Sequence, residues 1–218
     1  MDLDPLLAAF PPDGDRPTAV TAHGGLDDVD AIVSALGGVS LDGSLYRVFT
    51  ASEGVRWTVT ARHVYPEFGD QVTVFAADWL GRLFATEASR RDGTTSPMVL
   101  LLEPGTGEAL ELPVTVEGLH TKELLEAPDA ALAADFYRDW RSDSGDAAPL
   151  TRAECAGYRV PLFLGGADTT GNLERTDMSV YWGLAAQMRE QSLGLAPDTP
   201  VGAVSIEAQK RGLFRRKG

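Results

Sequence analysis

A single cysteine, Cys155, is all the thiol in this 218-residue chain. No internal disulfide can form, which fits a reducing compartment. Histidine is nearly as scarce: His23, His63 and His120 stand too far apart for the i, i+4 pair of a helical metal site. There is no Gly-x-Ser-x-Gly elbow and no Cys-x-x-Cys. No apolar run reaches the length of a transmembrane helix, and the opening Met1-Asp-Leu-Asp-Pro5 is acidic where a secretory leader is basic. The expectation is a soluble, cytoplasmic protein. Positive charge is also in short supply, with 19 basic against 32 acidic residues and a net charge of −13. Five of those bases sit in the last nine residues (Lys210, Arg211, Arg215, Arg216, Lys217); without them 14 bases face 32 acids and the body carries −18. Such a body repels nucleic-acid phosphates and steers toward cationic partners, unless its acidity serves only solubility. The basic tail is too short to hold a membrane without a second signal.

What remains is ordinary globular material. At 44% hydrophobic and 23% charged, the chain can bury one sizeable core or two small ones in contact. Leu3, Leu6, Leu7 and Phe10 predict a short helix that Pro11-Pro12 stops, and Val29, Ile32, Val33 and Leu36 predict a second, ending at Gly37-Gly38. Asp27, Asp28 and Asp30 in its first turn complement the helix dipole. Leu45–Thr50 reads as a strand. Ser52–Tyr65 fits two periods, because Val55, Trp57, Val59 and Ala61 alternate while Trp57, Ala61, Val64 and Phe68 keep helical spacing; a cap at Ser52 and a stop at Pro66 tip it to helix. Four strands follow, 71–76, 82–86, 98–103 and 108–114, joined by turns that imply an antiparallel sheet. Thr121–Ala127 and a helix capped at Asp129, with Ala133, Phe136, Tyr137 and Trp140 on one face, come next. Residues 142–149 form a polar loop, an apolar Tyr158–Leu164 segment ends in a Gly165-Gly166 turn, and Asn172-Leu173 leads to a final helix capped at Asp177 with Tyr181, Leu184, Ala185 and Met188 inward. Beyond Ser192 nothing argues for stable structure.

No chemistry gathers in this pattern. Gly105-Thr-Gly107 begins like a dinucleotide fingerprint but lacks the third glycine and lies between two strands with Glu103 and Glu108 beside it, so it reads as a hairpin turn. Cys155 has no base at hand to activate it. Neither a catalytic set, nor a cofactor, nor a metal site is expected.

A resemblance supplies what the residues alone do not. Phe75-Ala-Ala-Asp78-Trp79-Leu80-Gly81-Arg82-Leu-Phe84-Ala85, continued by Leu101-Leu-Glu103-Pro-Gly-Thr-Gly107-Glu108, resembles an element of bacterial proteins with a GAD-like N-terminal half. Gly157-Tyr158, Pro161, Leu164-Gly165-Gly166 and Asn172-Leu173 resemble the C-terminal half of the same family, whose members include immunity proteins that neutralise DNase effectors of the type VI secretion system. The motifs lie between about residues 70 and 190; residues 1–40 and the basic tail are not anchored by them. The resemblance implies a non-enzymatic immunity protein that binds a cognate toxin domain, basic and nuclease-like, one to one. It implies an α+β fold in which a central antiparallel sheet carries N-terminal helices and a C-terminal group of helices. The halves would be 1–118 and 119–192, with 193–218 a flexible basic tail. Two other readings stay open: a small-molecule-binding domain or enzyme with an unrecognised site, and a regulatory relative of immunity proteins.

Candidate contact residues come from the loops. Asp78 and Trp79 sit at a turn between strands, where they either meet a partner or, as the turn chemistry favours, cap the turn and pack inward. Asp143 and Asp146 lie in the polar loop, and Asp168 follows the Gly-Gly turn.

Overall fold

A computed structural model describes residues 1–14, 28–88, 97–145 and 148–192. Asp27, Asp146 and the basic tail lie outside the described residues. The α+β class and the antiparallel sheet are as expected. Six strands, β1 (Ser40–Leu41), β2 (Tyr46–Val48), β3 (Val72–Asp78), β4 (Leu83–Glu87), β5 (Met98–Glu103) and β6 (Glu108–Thr115), pair antiparallel in sequence order. One layer of helices covers one face: α1 (Asp4–Ala9), α2 (Asp28–Leu36), α4 (Val116–Gly118), α5 (Leu124–Glu126), α6 (Pro128–Leu132) and α7 (Ala134–Asp143). The other face carries α3 (Ala51–Val64) and α8 (Met178–Ser192). A separate hairpin, β7 (Glu154–Tyr158) with β8 (Leu173–Asp177), precedes α8.

Period-two alternation builds both cores. Along β5, Val99 and Leu101 enter the first core while Leu100 and Leu102 enter the second. On β3 the alternation slips: Val72, Val74 and Ala77 join the second core, Phe75 and Ala76 the first. A register shift between Val74 and Ala76 accounts for this, because one extra residue inverts the phase of the strand. Both faces being covered, the central strands are almost wholly buried.

Several local expectations need correction. The helix over the ambiguous segment is capped by Thr50 rather than Ser52: Glu53 N donates to Thr50 Oγ1 (3.2 Å) and Thr50 N to Glu53 Oε2 (2.8 Å), a reciprocal capping box. Its strand-like alternation was accidental, since Trp57 points inward while Val55 and Val59 face solvent at 69% and 64% exposure. The segment expected as a helix from Thr121 starts earlier, capped by Thr115, whose hydroxyl accepts from Gly118 N, and runs through a π-helical turn at Leu119–Glu123. The helix expected after Asp129 is broken at Ala133, where the backbone turns left-handed (φ 50°); Asp129 instead accepts from Asp135 N at the start of α7. Asn172-Leu173 leads into β8 and not directly into a helix. Asp177 does cap α8, accepting from Ser179 N and Val180 N, but the buried face is Met178, Tyr181, Trp182 and Ala185, while Leu184 and Met188 are only half-buried.

The Gly165-Gly166 turn is held by Asn172, whose amide donates to Val160 O (2.8 Å) and Ala167 O (2.9 Å) and accepts from Val160 N. A Cβ on Gly166 would lie 1.9 Å from Val160 O, a backbone atom that cannot swing away. Gly166→Ala is therefore expected to cost about 1–3 kcal/mol, as forced overpacking does, read as a lowered urea midpoint with unchanged slope.

Candidate functional site

The turn between β3 and β4, carrying Asp78 and Trp79, is where most of the polar bonding converges. Both residues have zero exposure. Asp78 Oδ1 accepts from Leu80 N and Arg82 N (3.0 Å each), and Oδ2 accepts from Arg82 Nε at 2.5 Å. Gly81 takes a positive φ of 75° to close the turn, with Cys155 Sγ 3.0 Å from where its Cβ would be. Trp79 Nε1 donates to Leu132 O, Arg82 to Ala131 O, Trp182 Nε1 to Gly81 O, and Ala156 N to Trp79 O. One turn thus bonds the sheet to α6, to β7 and to α8. Beneath it Arg47, fully buried, donates to the carbonyls of Thr151, Arg152, Glu154 and Asp78. The structure places Asp78 and Trp79 inside the molecule, in the intramolecular roles of the second reading.

The other candidates lie elsewhere. Asp168 accepts from Tyr158 OH at 2.6 Å; burial, then this bond, pushes the Tyr158 hydroxyl far up. Asp143 is exposed and accepts from Thr170 Oγ1 (2.7 Å), joining the end of α7 to the loop before β8 beside a cleft of about 420 Å³ that also holds Trp140, Arg159, Glu174 and Arg175. Asp168 is thus tied to β7 and Asp143 to the loop before β8, and neither bonds Asp78 or Trp79. Burial pushes the Cys155 thiol up to about 12, so it stays protonated and inert. Among the described residues no group of three or more His, Cys, Asp or Glu gathers around a metal position. None of the described helices is long and apolar enough to cross a membrane.

A second cleft, of about 270 Å³, lies between α3 and the start of α8. Its walls are Glu53, Arg56, Trp57, Thr60, Arg152 and Asp177. Arg152 spans the seam, bonding Glu53 Oε2 (2.7 Å), Val48 O (3.0 Å) and Ser40 Oγ (3.2 Å). Burial alone would raise the Glu53 carboxyl, but Arg152 and the Thr50 backbone outweigh it and hold it below the usual carboxylate range. Sequence reading missed this cleft because no motif marks it; it exists only where α3 meets a helix more than a hundred residues later.

The two faces differ sharply in charge. The helical segments 1–14, 28–36 and 116–145 carry twelve acids against three bases, Lys122, Arg138 and Arg141. The opposite face, 51–71 with 178–192, carries four acids (Glu53, Glu67, Asp70, Glu190) against three bases (Arg56, Arg62, Arg189). The body's negative charge is therefore concentrated on one layer.

Residues 145–189 match the family described as T6SS immunity protein Tdi1, C-terminal. Over that stretch the chain is similar to a type VI immunity protein. The match runs from the polar loop through the β7–β8 hairpin into α8 and contains Gly157-Tyr158, Pro161, Gly165-Gly166 and Asn172-Leu173, the motifs of the C-terminal half of the resemblance; those at 75–85 and 101–108 lie outside it. The matched segment supplies Trp182, Ala156 and three of the four carbonyls that bind Arg47, so it is bonded into the sheet rather than appended to it. The crystal structure of Atu4351 from Agrobacterium tumefaciens is similar in fold, with a TM-score of 0.50 and 12% identity over 84% of this chain and 88% of that one. A comparison with curated proteins gives no match.

Proposed function

We propose that this chain is an immunity protein that neutralises a toxin effector by binding it one to one, and that the toxin is a basic nuclease. The match of residues 145–189 to a type VI immunity family carries the reading. The charge distribution supports the finer part: a layer with twelve acids and three bases raises the encounter rate with a domain built to grip phosphate. The organisation we propose is a GAD-like half, 1–118, and an immunity half, 119–192, acting together in the cytoplasm, where a delivered effector would meet its target.

The test is titration of the purified toxin domain encoded beside this chain with the full-length protein. Cleavage of plasmid DNA is expected to stop at an equimolar ratio, and the association rate to fall about tenfold or more from low to physiological salt. Cleavage that persists at several-fold excess rejects the reading. A toxin that is neutralised but leaves DNA intact on its own rejects only the nuclease assignment.

A further inference from the structure

Among the described residues, one cation stands apart. Arg47 is bonded by carbonyls, Arg82 by Asp78, Arg152 by Glu53, Arg175 by Glu154 and Arg189 by Glu67, and the remaining described bases also have partners. The Arg56 guanidinium has none. In a chain with this excess of acid, an exposed cation that collects no side-chain partner is unusual. Arg56 is exposed on α3 at the lip of the 270 Å³ cleft, whose wall includes Trp57.

The apolar surface gathers at the same place. Five large hydrophobic side chains are exposed among the described residues, and Val55, Val59 and Val180 are three of them. Val55 and Val59, one turn apart, share the outer face of α3 next to Arg56. Val180, at 52% exposure, is in the first turn of α8 beside Ser179, which lines the cleft. The open sheet edge is a poor alternative: β6 bears Pro113 in the strand and exposed Glu108 and Glu111, features that discourage another strand from adding.

We infer that the α3–α8 face is the anchoring contact with the toxin domain, and that it receives a segment presenting an apolar side chain next to a carboxylate. This rests on the immunity reading above. The carboxylate meets Arg56 at the cleft lip, and the apolar group covers Val55 and Val59 on the outer face of α3. Charge complementarity selects this face: with four acids against three bases it is the side where an incoming carboxylate is least repelled, whereas the opposite layer would reject it. Labour is thus divided, the acidic helical layer drawing a basic domain in and the near-neutral face holding it. Arginine is among the residue types that interface hot spots favour.

The experiment uses the full-length chain and the purified toxin domain encoded beside it, with affinity measured by calorimetry. Val55→Asp/Val59→Asp and, separately, Arg56→Glu are each expected to weaken binding about 30-fold or more. Both changes are on exposed side chains, so thermal midpoints should match the parent. Asp135→Lys/Asp139→Lys on the opposite layer is expected to slow association while changing affinity less than about tenfold. If the parent binds and the α3 variants bind as tightly, the surface assignment is overturned while the immunity reading stands. If the parent itself does not bind, the immunity reading fails and this face goes with it.

Discussion

Asp78→Ala is expected to cost about 3–5 kcal/mol of folding free energy, the largest effect of any single polar substitution described for this chain. The carboxylate is wholly buried and accepts three hydrogen bonds, two from backbone and one from Arg82. Removing it strands two amides and leaves a buried guanidinium whose other bond is a long 3.3 Å contact to Ala131 O. For a domain of this size that loss lowers the thermal midpoint by about 6–20 °C. The paired variant Asp78→Ala/Arg82→Met separates the causes, since it removes the orphaned charge along with its partner. It should recover part of the loss; a double variant no more stable than Asp78→Ala would show that the backbone amides, not the charge, carry the cost. Urea titration of the three proteins at neutral pH supplies the cycle.

Acid is expected to take about 3 kcal/mol from the fold between about pH 6.5 and 4 through a single histidine. His120 is fully buried, its Nδ1 2.7 Å from Val116 O and its Nε2 2.9 Å from Tyr46 OH. A carbonyl can only accept, so Nδ1 carries the proton and Nε2 takes the tyrosine hydroxyl. Burial, against the pull of the Val116 bond, brings the folded pKa down to about 4. The unfolded chain binds this proton near pH 6.5, so between 6.5 and 4 the unfolded state holds more protons and stability rises with pH. The contribution is complete above 6.5, drains as pH falls, and is gone by about 4; the gap at about 1.4 kcal/mol per pH unit gives the 3 kcal/mol. Glu53, held below its usual range, adds its own loss only at still lower pH. His120→Gln keeps an acceptor for Tyr46 and removes the titration. Its unfolding free energy should be flat from pH 7.5 to 4.5 where the parent's falls, and a parental slope in the variant would place the acid sensitivity elsewhere.

The fold was legible in the sequence wherever periodicity and punctuation agreed. Leu3, Leu6 and Leu7, and Ile32 with Leu36, are buried on their helices, and the strands predicted at 71–76, 82–86, 98–103 and 108–114 are those of the sheet to within about two residues. Strands β7 and β8 were not legible. Glu-Cys-Ala-Gly-Tyr has small residues where a strand normally has branched ones, because Tyr181 packs on the hairpin so closely that a Cβ at Gly157 would meet its ring at 2.8 Å. Leu-Glu-Arg-Thr-Asp has one apolar residue and no alternation to read. The break at Ala133 was equally silent, since neither glycine nor proline marks it. The candidate contacts fared by the same logic. Turn chemistry at Asp78-Trp79 pointed to a buried role, and the side chains are buried. Arg56, by contrast, is an ordinary surface arginine until the positions of every other charge are known.

The buried guanidinium of Arg47 has a consequence for how the chain is made. Its acceptor on Glu154 lies 107 residues downstream, and the Gly81 carbonyl waits 101 residues for Trp182. At about 5–20 residues per second, a ribosome leaves these groups without their partners for about 5–20 s after they emerge. During that interval the Arg47 cation and the Gly81 carbonyl are open to water on surfaces the finished molecule seals. Termination anywhere before the last hairpin yields a fragment that keeps those openings permanently. The bonds that join the sheet to the hairpin and to α8 therefore close only after residues 154–182 have been made.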